Sequence, residues 1–235
     1  MAQAGIHSLV GMAVRKWTPA RQYSGARTWL VLGVVLGSML PDADNLAVAV
    51  ATLTRQPTEG LHRTFTHSLF TIVVVWAVVY LVSLATKQKR WNNHGIGLGV
   101  GILLHILLDL LIWFDGVAIL WPISSWVNLW SGVTVPEWWT KLMMPVELLF
   151  FALFFLSLGY LARKQGSDLG FLGKLRFWTG LQIVLFIVFL VLVYTMAKDF
   201  LTIFGAVYLL SLGLAVGVAI RMRKTIEYQT KTSPA

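Results

Sequence analysis

Histidine and aspartate residues recur at spacings that suit metal ligands, inside or beside the apolar runs of this chain. His105 and Asp109 are four residues apart, so on a helix both side chains face the same side, about one turn apart. That spacing suits two ligands of one metal, or one ligand and its orienting carboxylate. An ionisable side chain at membrane depth costs about 2.5–3.5 kcal/mol on insertion scales, so such residues normally mark a site with partners.

A proline followed by two aspartates carries a second part of the same chemistry. Pro41 is expected to end the preceding helix, which lets Asp42 and Asp44 turn inward together. Two carboxylates this close repel each other unless a cation or a proton lies between them, and a divalent metal would remove that repulsion. His62 and His67 add neutral imidazoles, which favour zinc over an ion such as magnesium, with manganese or iron as alternatives.

These candidate ligands are more numerous than one tetrahedral zinc requires, so we expect one or two ions. Asp44 or Asp109 would then act as a general base instead of a ligand. Arg63 would hold an anionic substrate group such as phosphate, and Thr66 and Ser68 would cap the next helix or hydrogen-bond a ligand. The candidate ligands are His7, Asp42, Asp44, His62, His67, His105 and Asp109, and the candidate catalytic residues are Asp44, Asp109 and Arg63.

Each feature also has an ordinary structural interpretation. His105 and Asp109 alone could be a hydrogen-bonded pair, and the Pro41-Asp42 sequence could be a simple turn, since both residue types favour turns. His7 alone would be a packing residue. The metal-site interpretation depends on the coincidence, because four of the five histidines lie away from the predicted cytoplasmic side.

The composition is that of an integral membrane protein. Of the 235 residues, 57% are hydrophobic and 12% are charged, and the mean hydropathy is +0.73, whereas soluble domains carry roughly 25% charged residues. The net charge of +9 does not indicate nucleic-acid binding, because the basic residues form small clusters between apolar runs. The absence of cysteine excludes disulfides, thiolate ligands and cysteine nucleophiles.

The apolar runs predict an all-α fold, a polytopic transmembrane helical bundle. The expected spans are residues 4–14, 29–40, 68–85, 95–114, 145–162, 177–197 and 200–220. This arrangement has about seven spans, or six if residues 4–14 lie at the interface instead of crossing.

The basic residues predict the orientation. Fifteen of the 19 Lys and Arg residues fall in segments 15–27, 86–94, 163–176 and 221–235. Cytoplasmic loops carry the excess of positive charge, so these segments and the C-terminus are expected in the cytoplasm. The protein would therefore lie in the cytoplasmic (inner) membrane, with the His and Asp residues towards the extracytoplasmic side.

Composition divides the chain into three parts. Residues 1–123 would form a membrane-embedded metal-site core, 124–144 a tryptophan-rich interfacial connector, and 145–235 a three-helix transmembrane scaffold with a basic tail. Tryptophan is typical of the headgroup level, which favours an anchoring role for the connector. A lid over the site is the alternative.

Five motifs, in the same order along the chain, resemble the YdjM-like family of membrane-bound, metal-dependent hydrolases. The most specific is His62-Arg63-x-x-Thr66-His67-Ser68, and the others are Gly5-Ile6-His7, Leu40-Pro41-Asp42-Ala43-Asp44, the segment 101–109 and Leu120-Trp121-Pro122. The resemblance covers about residues 5–123 and implies a polytopic helical protein whose His and Asp residues bind metal for hydrolysis. Many members have glycine where Thr64 stands here, a departure that removes no ligand.

Hydrolysis is therefore the expected reaction, because a metal lowers the pKa of its bound water and two metals can clamp a phosphoryl group. A site that opens towards headgroups indicates a lipid or amphiphilic substrate in the bilayer, such as a phosphoester. The alternatives are a metal-ion or proton-coupled transporter, since intramembrane His and Asp also form ion pathways, and a membrane protein with a structural metal.

Overall fold

The computed structural model describes residues 4–16, 29–123, 126–196 and 198–227, and within them the fold is nine α-helices with one short β-hairpin. Strands β1 (Val117–Ala118) and β2 (Trp126–Val127) pair antiparallel. The basic segment 17–28 and the tail from residue 228, which carry part of the orientation argument, lie outside the described residues. The helices are α1 (Ala4–Ala13), α2 (Leu30–Met39), α3 (Asn45–Leu53), α4 (Leu69–Thr86), α5 (Lys89–Ile112), α6 (Glu137–Gln165), α7 (Leu172–Thr195), α8 (Phe200–Arg221) and α9 (Arg223–Glu227).

Six segments of the described chain are long and apolar enough to cross a membrane, which confirms the predicted all-α polytopic bundle. They are α4 to α8 and a 24-residue run, Leu30–Leu53, that joins α2 and α3. The preferred count of seven is not met, because α1 has only 10 residues, a length of about 15 Å. This short helix is buried against α2 and α6, so six is the number of helices that can span.

Several helices begin earlier than predicted. Helix α5 starts at Lys89 and therefore includes His94, which was expected in a loop. The Nδ1–H of His94 donates to the carbonyl of Trp29 at 3.1 Å. Helix α6 starts at Glu137 and continues through Pro145, so the last part of the predicted connector is helical. Transmembrane helices tolerate proline because neighbouring groups satisfy the freed backbone.

Helices α2 and α5 run parallel and touch through their backbones. A Cβ on Gly37 would overlap the backbone of Leu98, and a Cβ on Gly101 would overlap the backbone of Val34 and Ser38. Small residues four apart permit such close approach in membranes. The contact fixes where the C-terminal end of α2 lies along the axis of α5. The second half of α5 carries His105 and Asp109.

One end of this helix pair is basic and the other carries the candidate site. Trp29, just before α2, has the guanidinium of Arg90 at 5.1 Å from its ring and that of Arg223 at 5.6 Å. The opposite end of α2 reaches the 3₁₀ turn Pro41–Asp44, so Pro41 follows the helix as predicted.

The largest apolar core lies among the C-terminal helices and extends into α1 and α2. Its fully buried aromatic side chains are Phe151, Phe154 and Phe155 of α6, with Phe189 of α7 and Phe204 of α8 packed nearby. The predicted three-helix scaffold therefore shares one core with the helices that lead to the site.

Candidate metal centre

Four separate stretches of chain bring all the predicted ligands into one buried cluster. Helix α1 supplies His7, the turn Pro41–Asp44 supplies two aspartates, the segment 62–67 supplies two histidines, and α5 supplies His105 and Asp109. The cluster is continuous: the shortest links are 3.0 Å from His7 Nε2 to Asp109 Oδ1, 3.1 Å from His67 Nε2 to His105 Nε2, and 2.8 Å from His62 Nδ1 to Asp44 Oδ1.

The centre of the cluster has the dimensions of a metal site. The Nε2 atoms of His67 and His105 are 3.1 Å apart, and they lie 3.5 and 3.7 Å from Oδ2 of Asp109. Oδ1 of Asp42 lies 3.9 and 3.7 Å from the same two nitrogens. Neighbouring ligand atoms of a tetrahedral zinc, with bonds of about 2.0–2.1 Å, are about 3.3 Å apart. The ligand atoms of His67, His105 and Asp109 therefore have the spacing of ligands to one ion, and Asp42 lies close to both histidines on another side.

The imidazole orientations of His105 and His62 are set by acceptors behind the rings. Nδ1 of His105 is 2.7 Å from the Ser38 carbonyl, which can only accept, so this nitrogen carries the hydrogen. Nδ1 of His62 likewise donates to the Asp44 carboxylate. In both neutral rings the lone pair is then on Nε2, the nitrogen available to a metal. Nε2 of His62 is buried, and no residue in the described part of the chain forms a hydrogen bond with it.

Thr66 orients the third ring in the same way. Its hydroxyl donates to Asp44 Oδ2 at 2.7 Å, and Nδ1 of His67 lies 2.9 Å from the same hydroxyl oxygen. Since the hydroxyl hydrogen is used towards Asp44, Nδ1 of His67 is the donor and Nε2 points into the cluster. Ser68 caps α4 by accepting the backbone N–H of Phe70 at 3.2 Å, so both polar roles expected for this pair are present.

Asp44 is occupied by hydrogen bonds that hold the motif together. It accepts from the His62 ring, the backbone N–H of Arg63 at 3.2 Å and the Thr66 hydroxyl. Such a carboxylate typically orients metal-binding histidines from behind. The geometry therefore favours an orienting role for Asp44 over the predicted ligand and base roles.

Asp42 has the opposite surroundings. Its side chain is 1% exposed, and neither carboxylate oxygen has a hydrogen-bond partner in the described chain. An ionised carboxylate is not buried without a partner, because desolvation costs several kcal/mol. Asp42 shares two groups of mutually close ligand atoms, one with His7 and His105 and one with His62 and His67, which is the arrangement that a cation would satisfy.

The two histidines of the segment between α3 and α4 differ in charge. Burial lowers the pKa of His62 and outweighs its hydrogen bond to Asp44, so the ring is neutral. Burial also acts to lower the pKa of His67, but the hydrogen bonds of Asp109 and Asp44 and the charges of Asp109 and Asp42 overcome it and raise the pKa to about 9. His67 is thus an imidazolium when no metal is bound, and a metal ion would replace its proton among the carboxylates.

Arg63 lies between the cluster and the surface. Its side chain is 3% exposed, with Nε 3.6 Å from Asp109 Oδ2 and Nη1 3.4 Å from Asp115 Oδ2, while the Asp115 side chain is 71% exposed. Arg63 has a positive φ of 61°, and its carbonyl accepts the backbone N–H of Ala118 at 2.9 Å. Strand β1 therefore fixes the motif, and the guanidinium lies beside the cluster between Asp109 and Asp115.

The cluster opens on one side only. The His62 side chain is 18% exposed, whereas those of His7, Asp42, Asp44, His67, His105 and Asp109 are at most 6% exposed. Among the described ligand candidates, the cluster is therefore most accessible at His62.

Two kinds of supporting residue were not predicted. Glu147 of α6 is fully buried and accepts the backbone N–H of Gly5, so it anchors the start of α1 and thereby places His7. The second kind is the glycine pairs 33/37 and 97/101, whose four-residue spacing is a recognisable signal of close helix contact. Nothing in the sequence indicates that the Ser38 carbonyl accepts the hydrogen bond from His105.

Comparison with family models matches residues 1–201 of this chain to the YdjM inner membrane protein family. The chain belongs to this family, as the resemblance in its motifs predicted. The match extends well beyond residue 123, so it includes α6 and α7, which were expected to lie outside the matching part. Comparison with curated proteins and with solved structures finds no match.

Proposed function

We propose that this member of the YdjM family is a metal-dependent hydrolase that cleaves a phosphoester of a lipid or another amphiphile. The observation that carries the proposal is Asp42, a buried carboxylate that has no hydrogen-bond partner among the described residues, beside the converging Nε2 atoms of His67 and His105. Histidine and carboxylate ligands favour zinc, with manganese or iron as alternatives.

We assign the primary ligands to His67, His105, Asp109 and Asp42. A second ion would share Asp42, since this residue also belongs to a group with His62 and to a group with His7. Bound metal would supply a Lewis acid for the phosphoryl oxygens and lower the pKa of a coordinated water.

The remaining residues would bind the substrate and move a proton. Arg63 would hold the phosphoester, since a guanidinium matches phosphate geometry and this one is already buried beside the cluster. The proton of the attacking water would pass to the pair formed by Asp109 Oδ1 and His7 Nε2, which lie 3.0 Å apart. Asp44 would keep the rings of His62 and His67 in place.

The packing below the cluster favours hydrolysis over the alternative of transport. In α5, the next ionisable residue before His105 in the sequence is His94, at the basic end, where it is bonded to the Trp29 carbonyl. Between them, Gly97 and Gly101 lie directly against the backbone of α2. A transport path would need polar groups through this interval.

Family membership and the six apolar segments place the chain in the inner membrane. We further propose that the metal cluster faces the extracytoplasmic side and the C-terminus the cytoplasm. The support is that the cluster lies at the end of α2 and α5 opposite to Arg90 and Arg223, and basic residues prefer the cytoplasmic side.

The test compares wild-type protein with Asp42→Asn, using the exposed Asp199→Asn as the matched control. We expect detergent-purified wild-type protein to contain zinc, to lose thermal stability on chelation and to hydrolyse a phosphoester in a lipid extract. Asp42→Asn should lose the metal and lower hydrolysis by more than about 100-fold, which is the upper end for residues that only orient ligands.

Two results would overturn the proposal. If wild-type protein contains no metal and keeps its thermal stability on chelation, a metal-dependent mechanism is excluded. Zinc or proton uptake into liposomes without any hydrolysis would establish the transporter instead.

A further inference from the structure

An apolar groove of about 650 Å³ lies beside the metal cluster, between α3 and the segment that follows it. Ala47 and Val50 of α3 form one wall, and Pro57 and Leu61 line the other. Its polar lining side chains are Thr54 and Gln56, and the Thr54 hydroxyl already donates to the Val50 carbonyl at 2.8 Å. A volume of several hundred Å³ is usual for a ligand site, and a carbon-lined groove selects an apolar ligand.

The groove and the cluster share two stretches of chain. Ala43 lines the groove and stands between Asp42 and Asp44, while Leu61 lines it and directly precedes His62. His62 is also the most exposed of the candidate ligands. The side on which the cluster opens is therefore formed by the same segment that lines the groove.

The α3 wall of the groove belongs to a run that is long and apolar enough to span a membrane, so in a bilayer this wall would border hydrocarbon. The run Leu30–Leu53 contains all of α3, on which Leu46 is 62% and Leu53 75% exposed. Exposed leucines of this kind face lipid chains in a bilayer. A lipid can therefore enter the groove sideways from the membrane without any apolar group passing through water.

We propose that this groove binds an acyl chain of the substrate, with the phosphoester directed towards Arg63 and the metal ligands. The inference rests on the proposed function and names its substrate class, a phosphoester with at least one long hydrocarbon chain. Because the chain passes from bilayer hydrocarbon into the groove, its methylenes gain little transfer free energy, so the groove orients the chain while Arg63 and the metal ligands select the phosphate.

The test uses a lysophosphatidic acid with a photoreactive diazirine in the middle of its acyl chain, present at a low fraction in phosphatidylcholine nanodiscs with zinc. The comparison probe is the matching monoacylglycerol, which lacks the phosphate. The protein variants are Ala47→Phe, which fills the groove, and Ala85→Phe, the same change at an exposed alanine of α4.

We expect the phosphate probe to label residues 43–61 several-fold more than α7, and several-fold more than the monoacylglycerol does. Ala47→Phe should remove this excess, whereas Ala85→Phe should keep it. Equal labelling of the groove and of α7, an excess unchanged by Ala47→Phe, or a crosslink from the groove to a second chain would each overturn the acyl-chain assignment.

Hydrolysis of the same probe in the same nanodiscs separates the two proposals. Groove labelling without hydrolysis would overturn the proposed function and leave the groove assignment standing. Hydrolysis without groove labelling would overturn only the groove.

Discussion

The two halves of this protein are built in different ways. In the site half, α2 and α5 touch through glycines, and a Cβ at Gly37 or Gly101 would overlap the backbone of the opposite helix. In the C-terminal half, α6, α7 and α8 are held apart by large side chains such as Phe155 and Phe204, and Gly180 has no atom near its missing Cβ.

The difference shows where positional accuracy is required. Backbone contact holds α2 and α5 at one separation, and this places the Ser38 carbonyl 2.7 Å from Nδ1 of His105. Packing of large side chains is more forgiving, because apolar residues of similar volume can replace one another at a modest cost of below about 1.5 kcal/mol. The site half therefore fixes ligand positions, and the C-terminal half supplies apolar volume.

The largest expected effect comes from adding one methyl group to each half. Gly101→Ala should lower the free energy of unfolding by about 3 kcal/mol or more, since the methyl meets backbone that cannot rotate away. Gly180→Ala should instead stabilise by about 0.5–1 kcal/mol, because alanine is the better helix residue. Thermal unfolding in detergent, followed with zinc analysis, measures both.

Because one variant should be less stable and the other more stable than wild-type protein, the pair directly tests whether the two halves pack differently. If Gly101→Ala were as stable as wild-type protein and retained its zinc, the two helices would not be in backbone contact, and the difference between the halves would disappear.

The sequence predicts which residues meet in the cluster because their chemistry is expressed in residue type. Imidazoles and carboxylates within apolar runs have few other uses, so His67, His105 and Asp42 could be assigned to one cluster from regions distant in sequence. The role of Asp44 could not be separated from that of Asp42 in this way. The two aspartates differ only in their partners, and Thr66 becomes a partner of Asp44 only after folding.

The fold was predictable where hydrophobic runs are long. It was less predictable where contacts with neighbouring segments determine the secondary structure. Helix α6 continues through Pro145, which a local rule would place at a helix start. The hairpin formed by β1 and β2 has two residues in each strand, too few for any periodic pattern. Helix α1 is apolar along its length, yet it is too short to cross and is buried by its neighbours.

A smaller effect is expected within the site half, from a hydroxyl that touches no metal position directly. Thr66→Val should weaken zinc binding by about tenfold, since loss of an orienting partner typically costs 10–100-fold. The hydroxyl of Thr66 joins Asp44 to Nδ1 of His67, and valine keeps the shape but not the hydrogen bonds. Competition with a zinc chelator of known affinity measures the change.

Thr64→Val is the matched control, because the Thr64 hydroxyl donates only to the nearby Gly60 carbonyl at 2.7 Å, away from the cluster. Equal zinc affinities for the two variants would mean that the hydroxyl at position 66 does not orient the ring.

The smallest effect concerns the polar contacts by which the C-terminal half holds the site half. Glu147 of α6 accepts the N–H of Gly5 in α1, and Glu227 of α9 accepts the N–H of Leu32 in α2 at 2.7 Å. Burial raises the pKa of Glu227, and the backbone N–H groups of the first turn of α2 offset this only in part. The folded protein therefore binds this proton more tightly than the unfolded chain does.

Stability should accordingly decrease as the pH rises from the ordinary glutamate pKa through the raised pKa of Glu227. Glu227→Gln, which still accepts a hydrogen bond, should remove that decrease and be more stable than wild-type protein at neutral pH. Unfolding curves across this pH range, with the exposed Glu59→Gln as control, measure the slope. A wild-type slope retained in Glu227→Gln would assign the pH dependence to other groups, and Glu227 would then hold α2 equally well in either protonation state.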